Sequence, residues 1–366
     1  MTIKQVAIYN TETKSFFCGD ISFENGVITE ITSCDVTPDT AYDFVIPGLV
    51  DMHTHGRGGF DFNTASEDEM KQMKQLYAKE GVTTVVPTLA SDTLPNLVSS
   101  IEKIKAAGYA AVHMEGRYLN PKRRGAHAEH LLAPLTQEEL TLLAKAADGM
   151  KLHVSASYEL DKDGSFLAAV KDVGATAGLA HTDATYEEAM QLVEKGLTSF
   201  THLFNAMPPL HHRAGGAVSA GLLSDAYTEI ICDGFHLAPE TVHLVQKTKD
   251  PSRVLLITDS MEGTGCADGE YSIAGNPVYL KGGKAYTVEG AIAGSTLELL
   301  DGVKNYAAFS GVSFEEALLG ATANPAKALS LENVGSLSIG KQADFVVLSP
   351  DLAIKDVYVG GKEIAR

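Results

Sequence analysis

Six side chains able to bind a metal ion or move a proton recur at one kind of position in this chain. His53 and His55, Glu115, His181, His202 and Asp259 each fall at or just past the end of a short apolar run. In His53-Thr54-His55 the period-two spacing puts both imidazoles on one side of an extended segment. Taken singly, such a histidine is more often structural, and a rim glutamate is more often salt-bridged. Their recurrence on successive runs points to a shared centre. Two imidazoles and a carboxylate with an open position form a hydrolytic metal site, which lowers the pKa of bound water to about 7. Asp259, in VLLITDSMEGTG, closes the last run, where a carboxylate takes a proton from attacking water and delivers it to a leaving nitrogen. A helix N-cap is the other reading of Asp followed by Ser and Glu.

The elements that must position these groups are the runs themselves. They span 49–51, 83–86, 110–114, 152–155, 175–179, 199–201, 229–232 and 254–258, with amphipathic helical segments between them. Eight such units predict a (β/α)₈ barrel, whose rim at the C-terminal ends of the strands is the active-site face. A doubly wound open sheet is the structural alternative. The chain ends read differently, as short strands at 5–9, 26–31, 43–46, 344–348 and 354–359 with turns such as Asn25-Gly26 and Gly360-Gly361. The expected organisation is a small β-sandwich built from 1–46 and 340–366, enclosing a barrel over 47–339.

Composition narrows the function classes. The chain has 366 residues, 45% hydrophobic and 21% charged, and a formal net charge of −18. That balance argues against nonspecific binding to nucleic acid or anionic membrane, and an anionic small substrate would need a local positive pocket. The cluster His211-His212-Arg213 offers such donors, or is a solvated loop; Lys122-Arg123-Arg124 reads as surface charge. Cys18, Cys34, Cys232 and Cys266 form no CxxC pair and read as reduced thiols of a cytosolic protein. No stretch looks like an export leader or a membrane span.

The motifs PGLVDMHTHG, HMEGRYLNPKRRGAH, AHTDATYEEA, THLFNAMPPLHHR, CDGFHLAPE, ITDSMEGTG and IAGSTL, in that order and spacing, resemble the N-acetylglucosamine-6-phosphate deacetylases of the amidohydrolase superfamily. The resemblance covers roughly residues 45 to 345. It implies that Glu115, His181 and His202 hold the principal divalent ion, Zn²⁺ or Fe²⁺, with Asp259 as acid/base. His53 and His55 would complete a second metal site, with Glu115 bridging, so that one or two ions bind. It implies that Ala126 and His127 face the substrate, with His127 polarising the acetamide carbonyl. Asn205, Ala206, Asp233, His236, Ile292, Ala293 and Gly294 would contact the ligand. Arg213 and His236 would reach the sugar phosphate across the interface of a homodimer. One departure is Arg117, where the resembled family usually has proline; a cation beside the sugar pocket would bear on which hexosamine epimer fits. The expected reaction is hydrolysis of the acetamide of N-acetyl-D-glucosamine 6-phosphate to D-glucosamine 6-phosphate and acetate. The rivals are the galactosamine epimer, another amidohydrolase such as an N-acyl-amino-acid deacylase, and a non-catalytic barrel scaffold.

Overall fold

Parallel strands buried on both faces read as unbroken apolar runs, and the eight runs above are eight parallel strands. In the computed structural model, which describes residues 1–34, 42–160 and 165–365, they span Leu49–Thr54, Val82–Leu89, Ala111–Glu115, Lys151–Ala156, Thr176–Leu179, Ser199–Phe200, Tyr227–Ile231 and Val254–Ile257. Each pairs with its neighbours in that order. The eighth strand returns to the first through the Asp259 N–H on His53 O at 2.9 Å, the His55 N–H on Ser260 O at 2.7 Å, and a Thr54–Ser260 bridge. The fold is thus the (β/α)₈ barrel, and the open sheet is excluded. Helices pack outside it. Glu67–Lys79 starts at a capping box of Ser66 and Glu69, and Tyr186–Glu194 at one of Thr185 and Glu188, each pair satisfying two otherwise orphaned N–H groups. Met70, Met73 and Tyr77 of the first of these helices are spaced to lie on one face and are buried against the strands.

Both chain ends meet in one seven-stranded sheet, ordered Lys362–Glu363, Ile354–Val359, Phe345–Leu348, Phe44–Pro47, Thr2–Asn10, Ser15–Glu24, Val27–Ser33. It has its own core, including Val6, Ile8, Ile21, Phe23, Val45 and Phe345. Here the cysteine reading is corrected: Cys18 and Cys34 lie close enough on neighbouring segments to pair, and they form a disulfide, whereas Cys232 and Cys266 are free. Among the described residues no helix is long and apolar enough to cross a membrane.

A third sheet lies outside the elements expected from sequence. Gly269–Ile273, Asn276–Lys281 and Lys284–Thr287 form an antiparallel flap beyond the eighth strand. Its two turns, Ala274-Gly275 and Gly282-Gly283, carry paired positive φ values of 49° and 80°, and 58° and 74°, the conformation that two-residue hairpin turns require. Two carboxylates tie the flap down. Asp61 Oδ2 accepts the Ala274 N–H at 2.8 Å, and Glu262 Oε2 accepts the Ser272 N–H at 2.5 Å.

One buried carboxylate joins the two chain ends to the barrel. Asp344 precedes the strand Phe345–Leu348; its Oδ1 accepts the Gly360 N–H at 2.6 Å, and its carbonyl accepts the Gly48 N–H at 3.0 Å. Burial pushes its carboxyl up to about 6, against a smaller opposing pull from the Gly360 hydrogen bond and Lys74. The folded chain therefore holds a proton more readily than the unfolded chain between about pH 4 and 6, so this group's contribution to stability falls as pH rises through that window. Asp344→Asn keeps the acceptor without the charge. Its melting temperature is expected to exceed wild type by more at pH 8 than at pH 4; an equal difference at both pH values, measured calorimetrically, would refute this.

Candidate active site and metal centre

The ends of five strands and the turns beyond them bring the predicted groups together around one carboxylate. Glu115 is buried, and its Oε1 lies 2.7 Å from His202 Nε2 and 3.1 Å from His181 Nε2. Its Oε2 lies 3.0 Å from His55 Nε2, 3.6 Å from His53 Nε2 and 3.5 Å from His127 Nε2. Asp259 Oδ1 is 3.3 Å from His55 Nε2 and 3.5 Å from His53 Nε2. His181, His202 and Asp259 have φ of 46°, 31° and 51°. Non-glycine residues reach this region only at a cost, and here three strand ends bear that cost together, each turning its side chain into the centre.

Hydrogen bonding shows what the cluster lacks. His181 Nδ1 donates to Arg123 O at 2.7 Å, so the Nε2 of the neutral ring carries a lone pair, yet it faces Glu115. Burial favours that neutral ring. His53 Nδ1 likewise donates to Glu229 Oε2 at 3.1 Å, leaving a buried Nε2 with no hydrogen-bond partner. Lone pairs pointed at carboxylate oxygens repel unless a cation lies between them. Two groups have that character, Glu115-His181-His202 and His53-His55-Asp259, each with its ligand atoms within 4.8 Å of one another. An ion with arms of about 2.1 Å and tetrahedral bonds has ligands about 3.4 Å apart, and the contacts above straddle that spacing. The residues therefore fit a divalent ion of N and O preference.

The cluster opens into a cavity of about 540 Å³. Of the residues predicted to meet substrate, Ala126, His127, Asn205, Ala206, His236, Ile292, Ala293 and Gly294 line it, together with flap residues Ile273 and Thr287. His127 Nδ1 accepts the Ser91 backbone N–H at 3.2 Å; its proton is thus on Nε2, which points to the Glu115 end of the cavity. Asp233 stands one step back, with Oδ2 2.7 Å from His236 Nδ1 and Oδ1 accepting the Phe235 and His236 N–H groups. Arg213 is exposed and outside the cavity of its own chain, its Nη1 2.5 Å from His212 Nε2.

Two readings of charge are corrected. Arg117 does not reach the cavity; it turns away to Glu139 Oε1 at 3.5 Å and the Asp92 carbonyl. Lys122, Arg123 and Arg124, read as surface charge, line the cavity instead. Arg123 pairs with Asp183 and Arg124 donates to His127 O, whereas the Lys122 ammonium has no protein partner among the described residues. Ser91 and the fully buried Glu229 join the site without having been among its expected residues. A glutamate inside the apolar run YTEIIC was the available signal, since a charge buried on both faces of a strand must be paired.

Fold and site together define a metal-site barrel hydrolase, and the chain belongs to the amidohydrolase family, whose model matches residues 44–364. Within that family it is similar to the N-acetylglucosamine-6-phosphate deacetylase of Vibrio furnissii, at 34% identity over 93% of this chain and 88% of that protein. An N-acetylgalactosamine-6-phosphate deacetylase of Escherichia coli O157:H7 is 30% identical over 92% of each chain. Among solved structures, a mutant N-acetyl-D-glucosamine-6-phosphate deacetylase from Mycobacterium smegmatis, in complex with N-acetyl-D-glucosamine 6-phosphate, superposes with a TM-score of 0.93 at 28% identity, covering 100% of this chain and 99% of that one.

An ion that binds the folded chain and not the unfolded one stabilises it by about 2.7 kcal/mol at a hundredfold excess over Kd. Stripping divalent ions with a chelator is expected to lower the melting temperature by about 3 °C or more, and Zn²⁺ to restore it. Superimposable melts, with metal loss verified by elemental analysis, would contradict the metal-centre assignment.

Proposed function

We propose that this protein hydrolyses the acetamide of N-acetyl-D-glucosamine 6-phosphate, releasing acetate and D-glucosamine 6-phosphate. The observation that carries the reading is the Glu115 cluster, with imidazole lone pairs turned on carboxylates at the floor of a cavity rimmed by cationic side chains. Glu115, His181 and His202 would hold the principal ion, and His53 and His55 a second one bridged by Glu115. Zn²⁺ and Fe²⁺ both suit these donors. A bound ion supplies Lewis acidity, bringing water towards ionisation near neutral pH.

The chain's own groups do the rest. Asp259 borders both the ion ligands and the cavity, so its carboxylate takes the proton of the attacking water and passes it to the amide nitrogen as the C–N bond breaks. The His127 Nε2–H, fixed by Ser91, donates to the carbonyl oxygen as negative charge develops there. Asp233 fixes His236 by its Nδ1, which leaves Nε2 for the ligand. The phosphate needs cations, and Lys122 supplies one from within the chain. The position of Arg213, outside its own cavity, supports a homodimer in which it serves the neighbouring site. The galactosamine epimer is the second reading, favoured by the similarity to the deacetylase of that sugar; with Arg117 turned away, that residue gives no ground for choosing between them.

Acetate release should be assayed on both 6-phosphates and on unphosphorylated N-acetylglucosamine. Asp259→Asn is expected to lower kcat about 10²- to 10⁴-fold with metal content kept. Lys122→Ala is expected to raise KM about 10-fold or more for the phosphorylated sugar alone, as befits loss of one charge-assisted contact. No turnover of either 6-phosphate by metal-replete wild type would reject the proposed activity. An unchanged KM in the lysine variant would remove Lys122 from the phosphate site.

A further inference from the structure

Below the ion ligands the barrel is not filled with aliphatic side chains. His113, His153, Ser155, Ser199, Thr201 and Glu229 form a buried polar layer. His113 Nε2 lies 2.7 Å from Ser155 Oγ, which lies 2.8 Å from Thr201 Oγ1. Glu229 is the one carboxylate in this layer, with a fully buried side chain and no lysine or arginine within 4.0 Å of it among the described residues. Its Oε1 accepts the Ser199 hydroxyl at 3.1 Å. Its Oε2 meets His53 Nδ1 at 3.1 Å and the backbone N–H of His202 at 3.4 Å. One side chain thus touches a member of each ligand group.

We infer that Glu229 is a positioning residue for the metal centre, fixing the tautomer and direction of His53 so that its Nε2 lone pair points at the ion held with His55 and Asp259. This rests on the reading of the cluster as a metal site. An ionised carboxylate only accepts hydrogen bonds, so contact with Glu229 puts the His53 proton on Nδ1 and frees Nε2. His53 has no other described hydrogen-bond partner at Nδ1, and its Nε2 has none, so nothing else on the ring selects the tautomer. His181 is fixed by a backbone carbonyl and His127 by Ser91. Of these three rings, among the described residues, His53 alone depends on a side-chain carboxylate from a different strand. Partners of this kind typically change metal affinity about 10- to 100-fold when removed.

The test is zinc titration of metal-stripped wild type, Glu229→Ala and Glu229→Gln by calorimetry, with bound zinc counted by elemental analysis and the His53 ring followed by ¹⁵N NMR. Wild type is expected to bind two ions and to show a protonated Nδ1 on His53. Glu229→Ala is expected to keep the ion of Glu115, His181 and His202, and to bind the second about 10- to 100-fold more weakly, with the His53 Nδ1–H signal lost. Glu229→Gln fills the same space and retains an acceptor oxygen, so it should fold as wild type and lose less affinity than the alanine variant. Wild-type affinity and an unaltered His53 ring in both variants would overturn the inference, as would a single ion in wild type. Acetate release is read separately. A wild type that hydrolyses no acetamide but whose second zinc weakens with Glu229→Ala rejects the proposed reaction and keeps this inference.

Discussion

A carboxylate can be buried among imidazoles only if charge is balanced within a few ångströms, and Glu115 imposes that condition on everything around it. Its two oxygens face five histidine nitrogens drawn from the ends of the first, fifth and sixth strands and the loop after the third. Each ring must be held by its far nitrogen or by its backbone so that the near one can point inward. The left-handed backbone at His181, His202 and Asp259 follows from the same demand, since a regular strand continuing outward would carry those side chains away from the axis. The barrel supplies the rigidity that sustains such local strain.

That demand reaches into the interior. Barrels of this kind are ordinarily packed with branched aliphatic residues, whereas here a polar layer lies beneath the Glu115 cluster and aliphatic packing is concentrated between strands and helices. Burial depresses His113 well below the ordinary histidine range and His153 to about 4. Both therefore stay neutral and act as fixed hydrogen-bonding groups. A layer with every member bonded is costly to form and hard to rearrange, which suits a floor that must not move when ligand enters.

What could be read from the residues follows the same division. Rim groups were legible because they interrupt apolar runs at their ends, where strand and chemistry coincide; His53, His55, Glu115, His181, His202 and Asp259 all have that position. Glu229, His113 and His153 lie within runs; the glutamate marks a buried charge that must be paired, but nothing in sequence tells how deep in the barrel the three lie. Arg117 misled because adjacency to Glu115 along the chain says nothing of direction after the strand ends, and Glu139, 22 positions on, claims it. The basic run at 122–124 reads as surface charge; its approach to the cavity depends on a contact with His181 that only the folded chain makes. The flap had its signal in YSIAGNPVYLKGGKAYT, alternation broken twice by turn residues, but it lies between two barrel motifs where a connection was the simpler reading.

The terminal sheet sets an order on synthesis. Phe44–Pro47 pairs on one side with Thr2–Asn10, available early, and on the other with Phe345–Leu348, which leaves the ribosome some three hundred residues later. Until then one strand edge stands open beside the first barrel strand, and unpaired edges invite pairing with other nascent chains. Completion of this sheet therefore waits for the whole barrel, and the interval during which that edge is bare grows with the length of chain inserted between its halves.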